Sequence, residues 1–352
     1  MRQITIDGKL IDGDGTAYVV AEIGHNHGGR LKTALEMCKA AKDCGCDAVK
    51  FQKRTIDKLY TKAYLATPYN SVHSFGATYG EHRRALEFGF PEYFEIKAFC
   101  QHIGITMFAT AWDEEAADFL SALGVPAFKV ASADVLNIPL LRHIAAKHKP
   151  VIMSTGGASW EDIDRALDAM VGTEVALLHC VARYPTQAVH ANLLAIPSML
   201  DRYDKVIGYS CHYNGTLMAT SAYLFGARII EKHFTLDHTS KGSDHALSLQ
   251  PDGMRKLVRD LGRLWVCAGE GDKVRDLEET LALQKMCKGM WPVTTLPAGT
   301  VITPSEIIRR TPLVSGGTEP WQEDAVVGGV IVHEQSTAVP FTGETLMYEV
   351  DK

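Results

Sequence analysis

Short apolar runs rich in β-branched residues recur along the chain. Between them lie stretches whose apolar residues return every three or four positions. The runs are Tyr18–Gly24, Asp47–Lys53, Ile105–Ala111, Ala127–Ser132, Pro150–Thr155, Glu174–Val181, Lys205–His212 and Ala227–Thr235. Strand-like runs alternating with amphipathic segments predict parallel α/β architecture. In Leu31–Cys44, for example, Leu31, Leu35, Cys38 and Ala41 recur at helical spacing, and Gly45 marks the stop. Thr216–Gly226 and Pro251–Ala268 read the same way, the latter burying Leu257, Leu261, Leu264 and Trp265. Eight strand–helix units in roughly 250 residues match the size of a closed (β/α)8 TIM barrel. An open doubly wound sheet could also hold eight strands, but no G-x-G-x-x-G follows the first run.

Two regions depart from the alternation. Ile4–Asp12 reads as a hairpin turning at Asp7-Gly8, a cover for the bottom of the barrel. From about Met290 the chain breaks into short β-like pieces with turns at Pro297-Ala298-Gly299, Ser315-Gly316-Gly317 and Gly328-Gly329. The expected organisation is therefore a barrel domain over 1–285 and a small β-rich domain over 290–352. A long stretch, Arg54–Pro91, separates the second run from its helix and carries Tyr60, Tyr64, Tyr69, His73, Phe75 and Tyr79. It is either a functional lid or an ordinary insertion.

Composition narrows the class. At 352 residues the chain can bury a substantial core. A net charge of −6 argues against a general nucleic-acid binder, and no apolar run approaches the ~20 residues of a membrane span. MRQITIDGKLIDGDG lacks the apolar stretch of a secretory signal, so a cytoplasmic location is expected. The eight cysteines are scattered. Cys38, Cys100, Cys180 and Cys267 fall in apolar contexts and read as reduced core residues, while Cys44-x-Cys46 is no zinc signature by itself.

The chemistry emerges at the ends of the runs, because the active site of such a barrel lies at the C-terminal ends of its strands. There stand Glu22, His25-Asn26-His27, Lys50, Gln52, Lys53, Thr110, Lys129, Ser132 and Ser154-Thr155-Gly156-Gly157, followed by Tyr184, Ser210, His212 and Glu231-Lys232-His233. A lysine inside an apolar strand is costly unless it meets an anion or a carboxylate. Lys50 and Lys129 therefore suggest an anionic ligand, supported by a Ser/Gly turn that could open a helix. A structural ion pair with Glu22 or Glu231 would explain each lysine singly. His212 and His233 end adjacent strands, and with Glu22 or Glu231 they suit a divalent ion with open positions. A lone histidine is more often a hydrogen-bonded core residue, the reading favoured for His179; His25, His27 and His245 are open.

These residues also carry a family resemblance. Ala21-Glu22-Ile23-Gly24-His25-Asn26-His27, Val49-Lys50-Phe51-Gln52, Phe128-Lys129-Val130-Ala131-Ser132 and Met153-Ser154-Thr155-Gly156-Gly157 resemble motifs of bacterial N-acetylneuraminate synthases. So do Leu178-His179-Cys180, Tyr184-Pro185-Thr186, Ile207-Gly208-Tyr209-Ser210, Glu231-Lys232-His233-Phe234-Thr235 and Ser243-Asp244-His245, in order over nearly the whole barrel. That group includes legionaminate, pseudaminate and spore-coat polysaccharide enzymes. The resemblance implies condensation of phosphoenolpyruvate (PEP) with N-acetylmannosamine or a related acetamido hexose, giving a nonulosonic acid and phosphate. Carried over, Lys50, Thr110, Lys129, Ser132, Ser154 and Ser210 would hold PEP. His212 and His233 would bind Mn2+ or Mg2+, Glu22 would be an active-site glutamate, and Gln52, Tyr184 and Asp244 would meet the sugar. The resemblance further implies a domain-swapped homodimer in which a C-terminal antifreeze-like (SAF) domain lends an arginine, Arg309 or Arg310, to the partner's site.

Departures from the family pattern concentrate around the acceptor. Cys211 stands where an Asp is usual between Ser210 and His212, Ala182-Arg183 replaces a Ser or Asn, and Ala111-Trp112 replaces Pro-Phe. Arg183 could take over an anion contact. The tail offers Arg309-Arg310-Thr311-Pro312 in place of Lys-Arg-Pro-Gly. Two rivals to the condensation reading remain: a Schiff-base aldolase using Lys129, and a carbohydrate-binding or assembly module on a retired barrel.

Overall fold

The computed structural model describes residues Arg2–Met347. The chain divides into two compact units, one ending at Gly269 and a second beginning at Glu270. This boundary lies earlier than the 285–290 expected from the sequence. The intervening helix Leu277–Gln284 is bound into the second unit, where Leu313 N–H donates to Gln284 C=O at 3.0 Å.

The first unit opens with the expected hairpin, β1 (Gln3–Ile6) and β2 (Lys9–Asp12), antiparallel and turning at Asp7 and Gly8. Both turn residues have positive φ, 52° and 76°, the backbone a two-residue hairpin needs. Eight strands then follow: β3 (Tyr18–Gly24), β4 (Ala48–Lys53), β5 (Thr106–Ala111), β6 (Phe128–Val130), β7 (Val151–Ser154), β8 (Val175–Cys180), β9 (Ile207–Cys211) and β10 (Ile229–His233). They close in the order β10-β3-β4-β5-β6-β7-β8-β9, every pairing parallel, so the fold is a (β/α)8 TIM barrel. Each sequence-predicted run contains one barrel strand, trimmed by up to two residues at an end where backbone pairing stops.

Helices cover the outside because their apolar faces match the outward residues of the strands. On Leu31–Asp43 the buried stripe is Ala34, Met37, Cys38 and Ala41, with Leu31 and Leu35 partly buried at its edge. Helix Glu114–Leu123 begins where the Asp113 side chain accepts the Ala116 N–H at 2.7 Å and ends at Gly124, φ 75°. Two expectations fail on Pro251–Ala268: Trp265 is 49 % exposed and Cys267 is exposed. Met254, Leu257 and Leu261 bury the first turns and Leu264 packs partly, but the last turn runs beyond the core it would have to cover. Among the described residues no helix is long and apolar enough to cross a membrane.

The hairpin seals the barrel floor. Ile4, Ile6 and Ile11 pack with Tyr18, Val20, Ala48, Phe108, Ala127, Ile152, Ala176, Leu178, Val206 and Ile229, the inward residues near the N-terminal ends of the strands. The second unit holds small antiparallel sheets, β11 (Gly289–Pro292) with β12 (Ile307–Arg310) and β13 (Val330–Ile331) with β14 (Leu346–Met347). Met290, Leu296, Ile302, Ile307, Val326, Ile331, Phe341 and Leu346 form its own core.

Candidate active site

Inward positions alternate along each barrel strand, so the floor layer continues upward two residues at a time. On β4, Ala48 leads to Lys50, Gln52 and then Arg54; on β3, Val20 leads to Glu22. On β10, Ile229 leads to Glu231 and His233. The polar inward residues line an open cavity of about 420 Å³ at the C-terminal mouth, a size ordinary for small-molecule sites.

At its base lies a buried charge cluster. Lys50 Nζ is 2.8 Å from Glu22 Oε2, 3.9 Å from Glu231 Oε1, and donates to Thr110 Oγ1 at 2.9 Å. Lys129 Nζ donates to Ser154 Oγ at 2.6 Å and to the Val130 carbonyl at 2.8 Å, with Glu231 Oε2 at 4.0 Å. Ser210 Oγ donates to Glu231 Oε1 at 3.2 Å. The lysines thus make the ion pairs that would explain them singly. Yet Glu231 Oε2 is buried with no hydrogen-bond partner, so the cluster is not fully satisfied from within. Glu231, weighed in the sequence as a carboxylate near the histidines or as the ion-pair partner of a single lysine, here joins Ser210 and both lysines at once.

The two glutamates are driven apart in acidity. Burial, opposed by Lys50, pushes Glu22 up to about 7. Burial would also raise Glu231, but Lys129 and Lys50 hold it below the ordinary carboxylate range. One carboxyl can then exchange a proton near neutrality while its neighbour stays ionised, a pattern that separates proton-transfer from electrostatic roles. Burial lowers Lys129, with Glu231 opposing.

Ser132 Oγ accepts the Gly156 N–H at 2.9 Å, tying two loop tips together. The Ser154-Thr155-Gly156-Gly157 turn does not open a helix as expected. The helix starts at Trp160, capped by Ser159, so the turn contributes side chains and backbone groups rather than a helix terminus.

His212 and His233 face each other across β9 and β10, ring centroids 5.4 Å apart, with the Tyr184 ring tilted against His212 at 4.1 Å. His212 Nδ1 lies 2.9 Å from the Val181 carbonyl, which assigns the proton to Nδ1 and leaves the Nε2 lone pair free. Burial lowers His212 to about 4 and lowers His233 as well, so both rings are neutral at pH 7. His233 Nδ1 is buried without a hydrogen-bond partner, 3.9 Å from Asp244 Oδ2. Two neutral imidazoles, one with a fixed tautomer and one with an orphaned nitrogen, fit a divalent ion that completes its shell with water and substrate oxygens. The expected third ligand is not there: among the described residues no group of three or more His, Cys, Asp and Glu stands in metal-holding geometry.

Gln52 bridges the cluster to the rim, donating to Glu22 Oε1 at 2.7 Å and accepting from Arg54 Nη2 at 2.5 Å. Gln52, Tyr184 and Asp244 all line the cavity. Arg183 is exposed and does not line it, so the structure gives no support to the anion contact suggested for that residue. His179 is a core residue bonded to the Ala191 carbonyl, and His245 is tied to Thr235. The Arg54–Pro91 insertion supplies cavity wall through Tyr69, Phe75, His82, Arg83 and Leu86. Sequence reasoning passed over Arg54 and Arg83 and noted Trp112 only as a departure from the family pattern; an arginine directly after a strand was the available signal. In the second unit Arg309 is ion-paired with Glu323, while Arg310 has no carboxylate partner among the described residues.

A closed parallel barrel with buried lysines, glutamates and a histidine pair at its C-terminal mouth defines a (β/α)8 enzyme. Residues 37–273 match the model of the NeuB family, and the chain belongs to that family. It is 41% identical over 257 residues to an N-acetylneuraminate-9-phosphate synthase of Drosophila melanogaster, covering 72% of this chain and 68% of the relative. Over 342 residues it is 32% identical to an N,N'-diacetyllegionaminic acid synthase of Legionella pneumophila, covering 95% and 94%. The solved N-acetylneuraminic acid synthetase of Leptospira borgpetersenii, in complex with citrate, superposes with a TM-score of 0.70 at 33% identity, over 80% of this chain and 95% of that one.

Proposed function

We propose that the protein is a PEP-dependent nonulosonic acid synthase, condensing PEP with an acetamido hexose such as N-acetylmannosamine and releasing phosphate. The observation that carries this reading is the buried Lys50–Glu22–Glu231–Lys129 cluster, two cations and two carboxylates of divergent acidity at the barrel mouth. Lys50, Lys129, Thr110, Ser132, Ser154 and Ser210 hold the phosphate and carboxylate of PEP. C3 of PEP forms the new bond to the aldehyde carbon of the open-chain sugar, whose oxygen becomes a hydroxyl. Water adds at C2 of PEP, the C2–O bond to phosphate breaks, and phosphate leaves with the bridging oxygen. The new C2 hydroxyl loses its proton to become the ketone, so the two protons of water end on the sugar hydroxyl and on phosphate. Glu22, poised near neutrality, orients this water and takes its proton. The lysines meet the anionic charge that stays on PEP throughout. His212 and His233 would hold Mn2+ or Mg2+, which when bound supplies Lewis-acid polarisation of the aldehyde.

In this mapping the three carbons of PEP precede the six of the hexose, so hexose C6 becomes C9 of the product. A hexose 6-phosphate would give a 9-phosphate, the product in the name of the Drosophila relative. A free diacetamido hexose would give an acid like that of the Legionella relative. The family resemblance also supports a cytoplasmic homodimer whose second unit is an antifreeze-like domain, with Arg310 rather than the ion-paired Arg309 as the contributed arginine. Light scattering checks the dimer.

Phosphate release from PEP, measured with Mn2+ against a panel of acetamido hexoses with and without EDTA, tests the function. Acceptor-dependent release is expected; release without an acceptor, or none with any, counts against it. The pKa of Lys129, lowered by burial, is the one feature favouring a Schiff-base aldolase. Its Nζ is already committed to Ser154 and Val130. Borohydride trapping of pyruvate on Lys129 would support that rival.

A further inference from the structure

Two arginines at the mouth carry charges that no carboxylate of the described structure neutralises. Arg54, the rim step of the β4 ladder, is 4 % exposed. Its Nη1 is 2.9 Å from His25 Nε2, its Nη2 donates to Gln52, and its Nε is buried with no hydrogen-bond partner. The guanidinium lies over the Trp112 ring, 4.2 Å from the ring centroid. Half-buried Arg83, on helix Tyr79–Leu86, donates Nε to Tyr79 Oη at 2.8 Å. Among the described residues neither guanidinium has a carboxylate within 4 Å. The nearby acids are engaged elsewhere: Glu87 pairs with Lys53 at 2.8 Å, Asp57 with Arg84, and Asp134 with Asn137 at 3.2 Å. Lys241, over the Phe75 ring at 5.1 Å, places a further positive charge next to this wall without lining the cavity.

Buried cations are retained at a cost unless an anion completes them, and a guanidinium fork fits the oxygens of a phosphate. Both arginines line the same cavity as the PEP-type cluster, but at a different place in it. Arg54 and Trp112 cap β4 and β5, and β5 stands diametrically across the closed barrel from β9, which His212 directly follows. An acceptor with its aldehyde at the histidine pair therefore directs its far end toward the arginines, passing Gln52.

We propose that the acceptor is a phosphomonoester, an acetamido hexose bearing phosphate on the carbon farthest from the aldehyde, with Arg54 and Arg83 as its phosphate clamp. This rests on the condensation reading above. The test compares kcat/KM for N-acetylmannosamine and N-acetylmannosamine 6-phosphate in the full-length protein with PEP and Mn2+. A preference for the phosphorylated acceptor of about 100-fold is expected, as suits two charge-assisted contacts. Arg83→Gln, on the more exposed of the two, should cut that preference at least tenfold by raising the KM for the phosphosugar; Arg54→Gln should do the same. Equal or reversed preference in the unmodified protein overturns the proposal. So does an Arg83→Gln effect confined to the KM for PEP, which would assign the arginines to PEP instead. If neither acceptor turns over, the condensation reading fails, and calorimetry decides the clamp. Tighter binding of the 6-phosphate than of the free sugar, lost in Arg83→Gln, supports it; equal binding overturns it.

Discussion

The floor and the mouth of the barrel are built from the same eight strands, two residues apart on the same inward face, and they solve opposite problems. At the floor Val20, Ala48, Phe108, Ile152 and Ile229 meet Ile4, Ile6 and Ile11 of the hairpin, an apolar layer closed to water. One step up the same faces carry Glu22, Lys50, Thr110, Ser154 and Glu231. The floor gains stability by removing apolar surface from water. The mouth gives some of it up, keeping charges in a low-dielectric setting where their action on a substrate is strong. Stability and chemistry are thus stacked in layers, and each layer should answer to mutation in its own observable.

The largest separation should come from Lys50→Met. Removing the cation that ties Glu22, Glu231 and Thr110 together should lower kcat/KM with PEP by about 10³-fold, in the range seen for lost electrostatic stabilisation. Its denaturation midpoint should barely move, because Glu22 can take up a proton and Glu231 keeps Lys129. Ile6→Ala is the mirror image. Truncating this fully buried floor residue should cost about 2–4 kcal/mol in urea unfolding, with kcat near that of the unmodified protein. If Ile6→Ala silences turnover while remaining folded, the layers are not separable.

A pH experiment sharpens the comparison between the two ends. His27, stacked on Phe88 at 4.2 Å just outside the site, is pushed down to about 3 by burial. Between that value and the unfolded value near 6.5 the unfolded chain binds the proton and the folded chain does not. This contribution to stability is therefore intact above about pH 6.5 and lost as pH falls toward 3, at about 1.4 kcal/mol per pH unit. His27→Asn, which keeps an acceptor for the Gly29 N–H, should flatten the acid limb of the unfolding curve by that slope. An unchanged limb would show that His27 titrates normally. The smallest effect expected is that of Ser210→Ala. It removes one hydrogen bond to Glu231 and should raise the KM for PEP about tenfold, as for loss of a bond to a charged group.

What was legible in the sequence follows the same layering. Parallel strands buried on both faces read as continuous apolar runs, so all eight were visible, and the polar residue interrupting each run marked the mouth. The hairpin was legible from Asp7-Gly8. Helix Pro251–Ala268 misled because periodicity reports which face would be buried, not where the core ends, so Trp265 and Cys267 were placed inside. The place of Glu231 in the cluster depended on barrel closure, which brings β10 beside β3 and so within reach of Lys50. Arg83 was illegible for a related reason: it sits on a helix within an insertion whose sequence does not say which wall it forms.

The central claim is that the mouth joins PEP to a sugar aldehyde with rupture of the C–O bond. The most direct measurement uses PEP labelled with 18O at the bridging oxygen, the full-length protein, Mn2+ and an acetamido hexose or its 6-phosphate, with mass analysis of both products. The account predicts phosphate that appears only with the acceptor and carries the label. Label retained in the sugar acid, or phosphate released regardless of acceptor, would contradict it.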